Sequence, residues 1–136
     1  MSRVTELLAD FAMWDDMAKQ KRKELQRLRD RRTSVHVTYS EAPGGTPETM
    51  EEYIAKRSEL EEDLEEIKEH RYAAFSQIMR LAFRLDSQKQ IDIIYRRDIH
   101  RDSWRKICRD LDIKRSSATD LHARAVRAME AIDEKG

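Results

Sequence analysis

The chain has almost nothing that stops a helix. Of its 136 residues three are glycine (44, 45 and 136) and two are proline (43 and 47), so four of the five breakers fall in one short window. The remainder is free to run as long helices. Aromatic residues are also scarce, at 7%, against 40% charged residues and a mean hydropathy of −0.87. That composition speaks against one large spherical core and suits elongated helices, which expose much of their surface. A single cysteine excludes an internal disulfide and fits a reducing cytosol. No apolar run is long enough for a membrane span or a signal-peptide core, and the best early cluster, Leu7 to Trp14, is broken by Asp10. The expectation is a soluble, cytoplasmic protein with no membrane partner.

An excess of charge of one sign is missing too: 27 Lys and Arg balance 27 Asp and Glu, which argues against a generic polyanion binder. The distribution is nevertheless uneven. Lys19 to Arg32 carries eight basic and two acidic residues, Glu48 to Glu69 ten acidic and three basic, and His70 to the end fifteen basic and ten acidic. The C-terminal part is the candidate nucleic-acid end.

From the start to about Arg32, Val4, Leu7, Phe11, Trp14, Ala18, Leu25 and Leu28 recur in steps of three and four, interrupted by Lys21. This heptad pattern predicts one helix with a packing seam. Residues 33–47 lack a period and read as a flexible loop; the alternation of Val35, Val37 and Tyr39 has no evident partner strand, and Gly44-Gly45 lacks the spacing of a phosphate cradle. Thr46-Pro47-Glu48 reads as a helix start with Thr46 as N-cap and Pro47 at the first position. A second seam then runs through Met50, Tyr53, Leu60, Leu64, Ile67, Ala74, Ile78, Leu81 and Leu85, interrupted by Arg57 and Arg71. It predicts a helix of about 38 residues, roughly 57 Å long.

Two long helices joined by a loop imply an antiparallel hairpin over residues 1–85, in which positions whose numbers sum to about 80 face each other. The basic run then lies beside the start of the acidic run, so the two are expected to neutralise each other within one hairpin or between two. Leu8, Met17, Phe75, Ala82 and Phe83 fall off the seam. A dimeric or an intramolecular four-helix arrangement would cover the excess apolar surface, and the expectation is a homodimer that buries Phe11, Trp14, Leu64 and Ile78 between subunits.

Residues 86–136 form the second expected domain. Trp104, Ile107, Cys108 and Leu111 lie on one face of a short helix, and after Asp112, Ile113 and Lys114 a second apolar series runs through Ala118, Leu121, His122, Ala125, Met129 and Ile132. Two helices about three residues apart make a helix-turn-helix candidate, whose second helix would enter a DNA major groove. If that helix spans Arg115 to Ile132, its outward face carries Ser116, Asp120, Ala123 and Arg127, flanked by Ser117, Thr119 and Arg124. Lys114, Arg115, Ser116, Ser117 and Arg124 suit phosphate or guanine contacts. Asp120 repels the backbone but can accept from a cytosine amino group.

The order of the apolar helix Leu85 to Tyr95, then Ser103-Trp104, Ile107-Cys108, Leu111-x-Ile113 and Leu121-His122-Ala123-Arg124-Ala125-Val126 resembles region 4 of bacterial sigma factors. It is closer still to the sigma-like tail of small phage regulators, the late-transcription activators of the ArpU and RinA type. The resemblance covers about the last 50 residues and, more loosely, the hairpin before them. It implies an all-α protein of a phage or prophage in a bacterial host, a transcriptional regulator that binds double-stranded DNA and works beside RNA polymerase. The family commonly has glycine where this chain has Arg101 and Asp112. Aspartate tolerates the left-handed conformation, so Asp112 can close the turn; Arg101 is the poorer substitute and implies a differently shaped link. The family's capping serine is Lys114 here, so Ser116 or Ser117 is expected to cap a helix that starts later.

Nothing points to catalysis, a cofactor or a metal. His36, His70, His100 and His122 share no metal-ligand spacing with one another or with Cys108. His122 reads as a packed, hydrogen-bonded histidine and Cys108 as a small buried thiol. Paired glutamates such as Glu61-Glu62 read as solvated. The function expected is a non-enzymatic DNA-binding regulator. The alternative is an interaction adaptor that binds RNA polymerase or another regulator through the hairpin or the sigma-like domain.

Overall fold

The computed structural model describes residues 2–37 and 48–136, the side chains of 33–37 excepted. All secondary structure among the described residues is helical: α1 (Arg3–Val37), α2 (Met50–Ala82), α3 (Gln88–Ile94), a π-helical turn (Tyr95–Ile99), α4 (Trp104–Leu111) and α5 (Arg115–Lys135). None of these helices is long and apolar enough to cross a membrane.

Short polar side chains set the starts of α1, α2, α3 and α4. The Thr5 and Glu52 amides donate to the hydroxyls of Ser2 and Thr49, and those of Gln90 and Lys106 to the hydroxyls of Ser87 and Ser103. At α2 the Glu52 carboxylate also accepts from the Thr49 amide at 3.2 Å, completing a capping box. The start expected at Thr46-Pro47 is therefore corrected to Thr49, because a box that satisfies both amides fixes the first turn. Helix α1 continues to Val37, past the expected end at Arg32. Propagation adds one backbone hydrogen bond per residue, and no breaker occurs before Pro43. The rest of the expected loop, 38–47, with Tyr39, Thr46 and Pro47, lies outside the described residues.

The chain divides into two compact units, Met1–Met13 with Arg71–Gly136, and Trp14–His70. The sequence reading put the division at residue 85. It falls elsewhere because three short helices supply too little apolar surface for a core. The start of α1 and the end of α2 complete it: Val4, Phe11, Ala74, Ile78, Met79 and Ala82 share one buried cluster with Ile93, Ile94, Ile107, Ala118, Ala125 and Met129. Phe11 and Ile78, expected to be covered by a second subunit, are thus already covered within the chain, at 5% and 0% exposure. Polar contacts tie the same elements. Ser2 donates to Glu130 at 3.0 Å, Arg3 pairs with Asp133 at 3.3 Å, and Arg101 donates to the Ala12 carbonyl at 3.5 Å.

In the Trp14–His70 unit α1 and α2 run in opposite directions. Trp14 stacks on His70 with ring centres 4.4 Å apart, and Arg32 lies over the Tyr53 ring at 5.3 Å. The seam buries Ala18, Leu25, Leu28, Tyr53 and Ile67. Lys21–Asp63 at 3.7 Å and Arg29–Glu61 at 3.9 Å pair across the two helices, and Arg31 pairs at 3.7 Å with Glu48, just before α2. Glu48, just before α2, is held by basic side chains. A hydrogen bond from Lys56 at 2.7 Å, helped by the charges of Lys56, Arg31 and Arg32, keeps its carboxyl below the usual range.

Candidate nucleic-acid interface

The geometry of the α4–α5 pair follows from a few residues. Ser103, in extended conformation, caps α4, and Ile107 is its fully buried anchor. At the other end Asp112 takes the left-handed conformation (φ 53°, ψ 52°), and the amides of Asp112 and Ile113 both return to the Cys108 carbonyl. This double closure is a Schellman-type stop, and it places Asp112 where glycine usually sits. Lys114 then returns to extended backbone (φ −73°, ψ 154°), and α5 starts at Arg115 with the Ala118 amide bonded to the Lys114 carbonyl. The expectation of a later start capped by Ser116 or Ser117 is corrected. Lys114 occupies the N-cap position without a side-chain bond, and both serines lie inside the first turn.

The link before α4 also differs from expectation. Arg101 adopts φ 61°, the left-handed region that glycine would enter without cost. It is held there by its neighbours: the His100 amide donates to the Tyr95 carbonyl, the Asp102 amide to the Arg96 carbonyl, and Arg97 Nη1 to the Asp102 carbonyl at 3.0 Å. The π-helical turn aims two more side chains. Arg97 lies over the Trp104 ring at 4.5 Å, and Asp98 meets His122 Nε2 at 2.7 Å. His122 in turn stands edge-on to Trp104, with ring centres 5.6 Å apart. One bracket of Arg97, Asp98, Trp104 and His122 therefore fastens α5 to α4 and to the turn before it. The sequence reading missed this turn. Its one trace is the five-residue step from Ile94 to Ile99, both packed in the core.

Ala118, Ala125 and Met129 are the buried residues of α5. On the outward side Lys114, Arg115, Ser116, Ser117, Asp120, Arg124 and Arg127 are exposed, while Ala123, expected on the same face, is half-buried. Thr119 is half-buried, and its hydroxyl shares its hydrogen between the carbonyls of Arg115 and Ser116 at 3.0 and 3.2 Å. Arg124 and Asp120 are not independent, since Arg124 Nε lies 3.0 Å from Asp120 Oδ2. The structure thus brings Lys114, Arg115, Ser116 and Ser117 together on the first turn, with Asp120, Arg124 and Arg127 on the turns that follow.

Charge pairing separates engaged cations from available ones. Lys106 is held by Asp110 at 2.9 Å and Asp102 at 3.5 Å; the Asp110 hydrogen bond, then the Asp102 charge, raises its ammonium above the usual range, and the same bond keeps Asp110 below its own. Arg96 is held by Asp92 at 2.8 Å. Arg105, Lys114, Arg115 and Arg127 have no side-chain partner among the described residues. Arg105 was absent from the sequence-based set. The signal for it was the residue after Trp104, since the core-facing Trp104 turns its neighbour outward. Among the described residues no group of three or more His, Cys, Asp or Glu side chains is placed to hold a metal.

No family model, curated protein or solved structure matches the chain.

Proposed function

We propose that the chain is a DNA-binding transcriptional regulator of a phage or prophage, with α4 and α5 as a helix-turn-helix, α5 as the recognition helix, and α1 with α2 as a long hairpin. The observation that carries this reading is the first turn of α5. It presents the unpaired cations Lys114 and Arg115, two serine hydroxyls and the free backbone amides of a helix start on the side away from the core. Such a turn attracts phosphate through charge and through aligned amides together. Arg127 extends the basic surface along α5, and Arg105 supplies a further cation at the start of α4, where such modules cross the DNA backbone.

The test is fluorescence anisotropy with labelled mixed-sequence duplex across a salt series. Binding weakens with salt at a log-log slope of about −0.9 per neutralised phosphate, and Arg115→Ala reduces that slope by about one contact, weakening all sequences alike. No binding at low salt, or binding indifferent to Arg115→Ala, rejects the proposal.

A second reading has its own support. Tyr72 on α2 and Phe83 just after its end are 68% and 69% exposed, large side chains in a molecule poor in aromatics. These two side chains are the candidate protein contacts of this second reading. An adaptor that binds RNA polymerase or another regulator there, or a homodimer, would lose its partner on Phe83→Ser with α5 untouched.

A further inference from the structure

Asp120 occupies the middle of the outward face of α5, one turn after Ser116 and two turns before Arg127. A carboxylate there opposes the approach of phosphates, so the DNA-binding reading has to account for it. Its partner provides the account. Arg124 Nε lies 3.0 Å from Asp120 Oδ2, in an i, i+4 pair whose side chains are 66% and 54% exposed. An exposed pair of this kind contributes little to helix stability, and neither side chain belongs to the core, so folding does not explain the arrangement.

The geometry of the guanidinium does. Arginine carries one donor on Nε and two on each terminal nitrogen. With Nε facing Asp120 in an ion pair, both terminal nitrogens are left as a fork, the shape that fits O6 and N7 of guanine with two parallel hydrogen bonds. The carboxylate also offsets the charge of Arg124. A phosphate, which recognises charge above all, then gains less from this arginine than a guanine edge, which recognises the fork. We infer that Asp120 is a positioning residue that turns Arg124 from a phosphate contact into a guanine reader, so that guanine is the base selected at the centre of the α5 footprint.

This inference rests on the DNA-binding reading, and its test separates the two. The full-length protein, Asp120→Ala, Arg124→Ala and the double variant are each incubated with a pool of randomised duplexes, and the bound fraction is sequenced. Affinity for an unselected duplex is measured against salt. The wild type enriches guanine at one position. Asp120→Ala lowers that enrichment about tenfold, the loss expected of one bidentate base contact. It also tightens binding to the unselected duplex and steepens the salt slope by about 0.9, because Arg124 now holds a phosphate. Arg124→Ala abolishes the enrichment, and in that background removing Asp120 leaves base preference unchanged. Guanine enrichment that survives Asp120→Ala overturns the inference alone. So does a base preference that shifts on removing Asp120 when Arg124 is already absent, since Asp120 would then read a base itself. A wild type that binds no duplex at low salt overturns the DNA-binding reading and this inference with it.

Discussion

Among the described residues of the Trp14–His70 unit five apolar side chains are buried, Ala18, Leu25, Leu28, Tyr53 and Ile67, and of these an alanine alone falls below 2% exposure. In the other unit Ile78, Ile93, Ile94, Ile107, Met129 and Val4 all fall below 2% and share one cluster. The contrast follows from topology. In a two-helix pair each helix has one neighbour, so a side chain is covered from one side. Where five helical segments meet, a side chain can be enclosed. The first unit fills its remaining surface with charge, but the pairs Lys21–Asp63, Arg29–Glu61 and Arg31–Glu48, at 3.7 to 3.9 Å between partly exposed groups, are of the kind that contribute about 0–1 kcal/mol each. The second spends its charges on fixing turns and leaves a few cations unpaired.

The sharpest way to break this comparison is to empty matched positions. Ile107→Ala or Met129→Ala should cost about 2–5 kcal/mol in chemical denaturation, because each side chain is fully enclosed. Leu64→Ala, at a half-buried seam position, should cost about 1 kcal/mol. Equal losses at the two sites would erase the distinction between an enclosed core and a one-sided seam. Next in size is the left-handed turn. Asp112→Val should destabilise by about 1–2 kcal/mol, since a β-branched residue cannot sit at φ 53° without strain, while Asp112→Gly should be neutral or stabilising. Cap removals come third. Ser103→Ala and Thr49→Ala should each cost about 1 kcal/mol, and hydrogen exchange should show the loss confined to the first turn of α4 or α2.

The smallest effect is that of pH. Glu48 in one unit and Asp110 in the other have carboxyls held below their ordinary values of 4.5 and 3.8, each by a lysine hydrogen bond first, from Lys56 and Lys106. A depressed folded-state pKa contributes stability that is present above the ordinary value and is lost as pH falls through the lowered one. Acid titration below about pH 4 should therefore loosen both pairs, with Lys56→Met and Lys106→Met each removing its share of the acid sensitivity. Lys106, held above its ordinary value of 10.5, contributes in the opposite sense, present below that value and lost as strongly alkaline pH removes the proton.

Periodicity made much of the fold legible. The steps of three and four located all the long helices and the α4–α5 pair, since burial on one face imposes that spacing. The outward face of α5 was legible for the same reason, and Asp112 because aspartate accepts left-handed backbone. Less legible was what depends on partners distant in sequence. The closing of the C-terminal core by Val4, Phe11 and Ile78 has no local signature. Arg101 at φ 61° contradicts its own preference and is held by the carbonyl of Ala12 and the contacts around it. Thr46-Pro47 looked like a better helix start than Thr49, yet Thr49-x-x-Glu52 makes the reciprocal bonds. The diversion of Thr119 to backbone carbonyls and the pairing of Asp120 with Arg124 are side-chain choices that spacing permits but does not dictate.

The central claim is that the two units divide the work, with nucleic acid met by the exposed side of α4 and α5 and not by the basic run of α1. Mapping backbone amide shifts by NMR during titration with a mixed-sequence duplex at low salt tests it most directly. The account predicts changes at Ser103 to Lys106 and at Ile113 to Arg127, with none along Lys19 to Arg32. Changes centred on Lys19 to Arg32, or on Tyr72 and Phe83 with α5 silent, would contradict it.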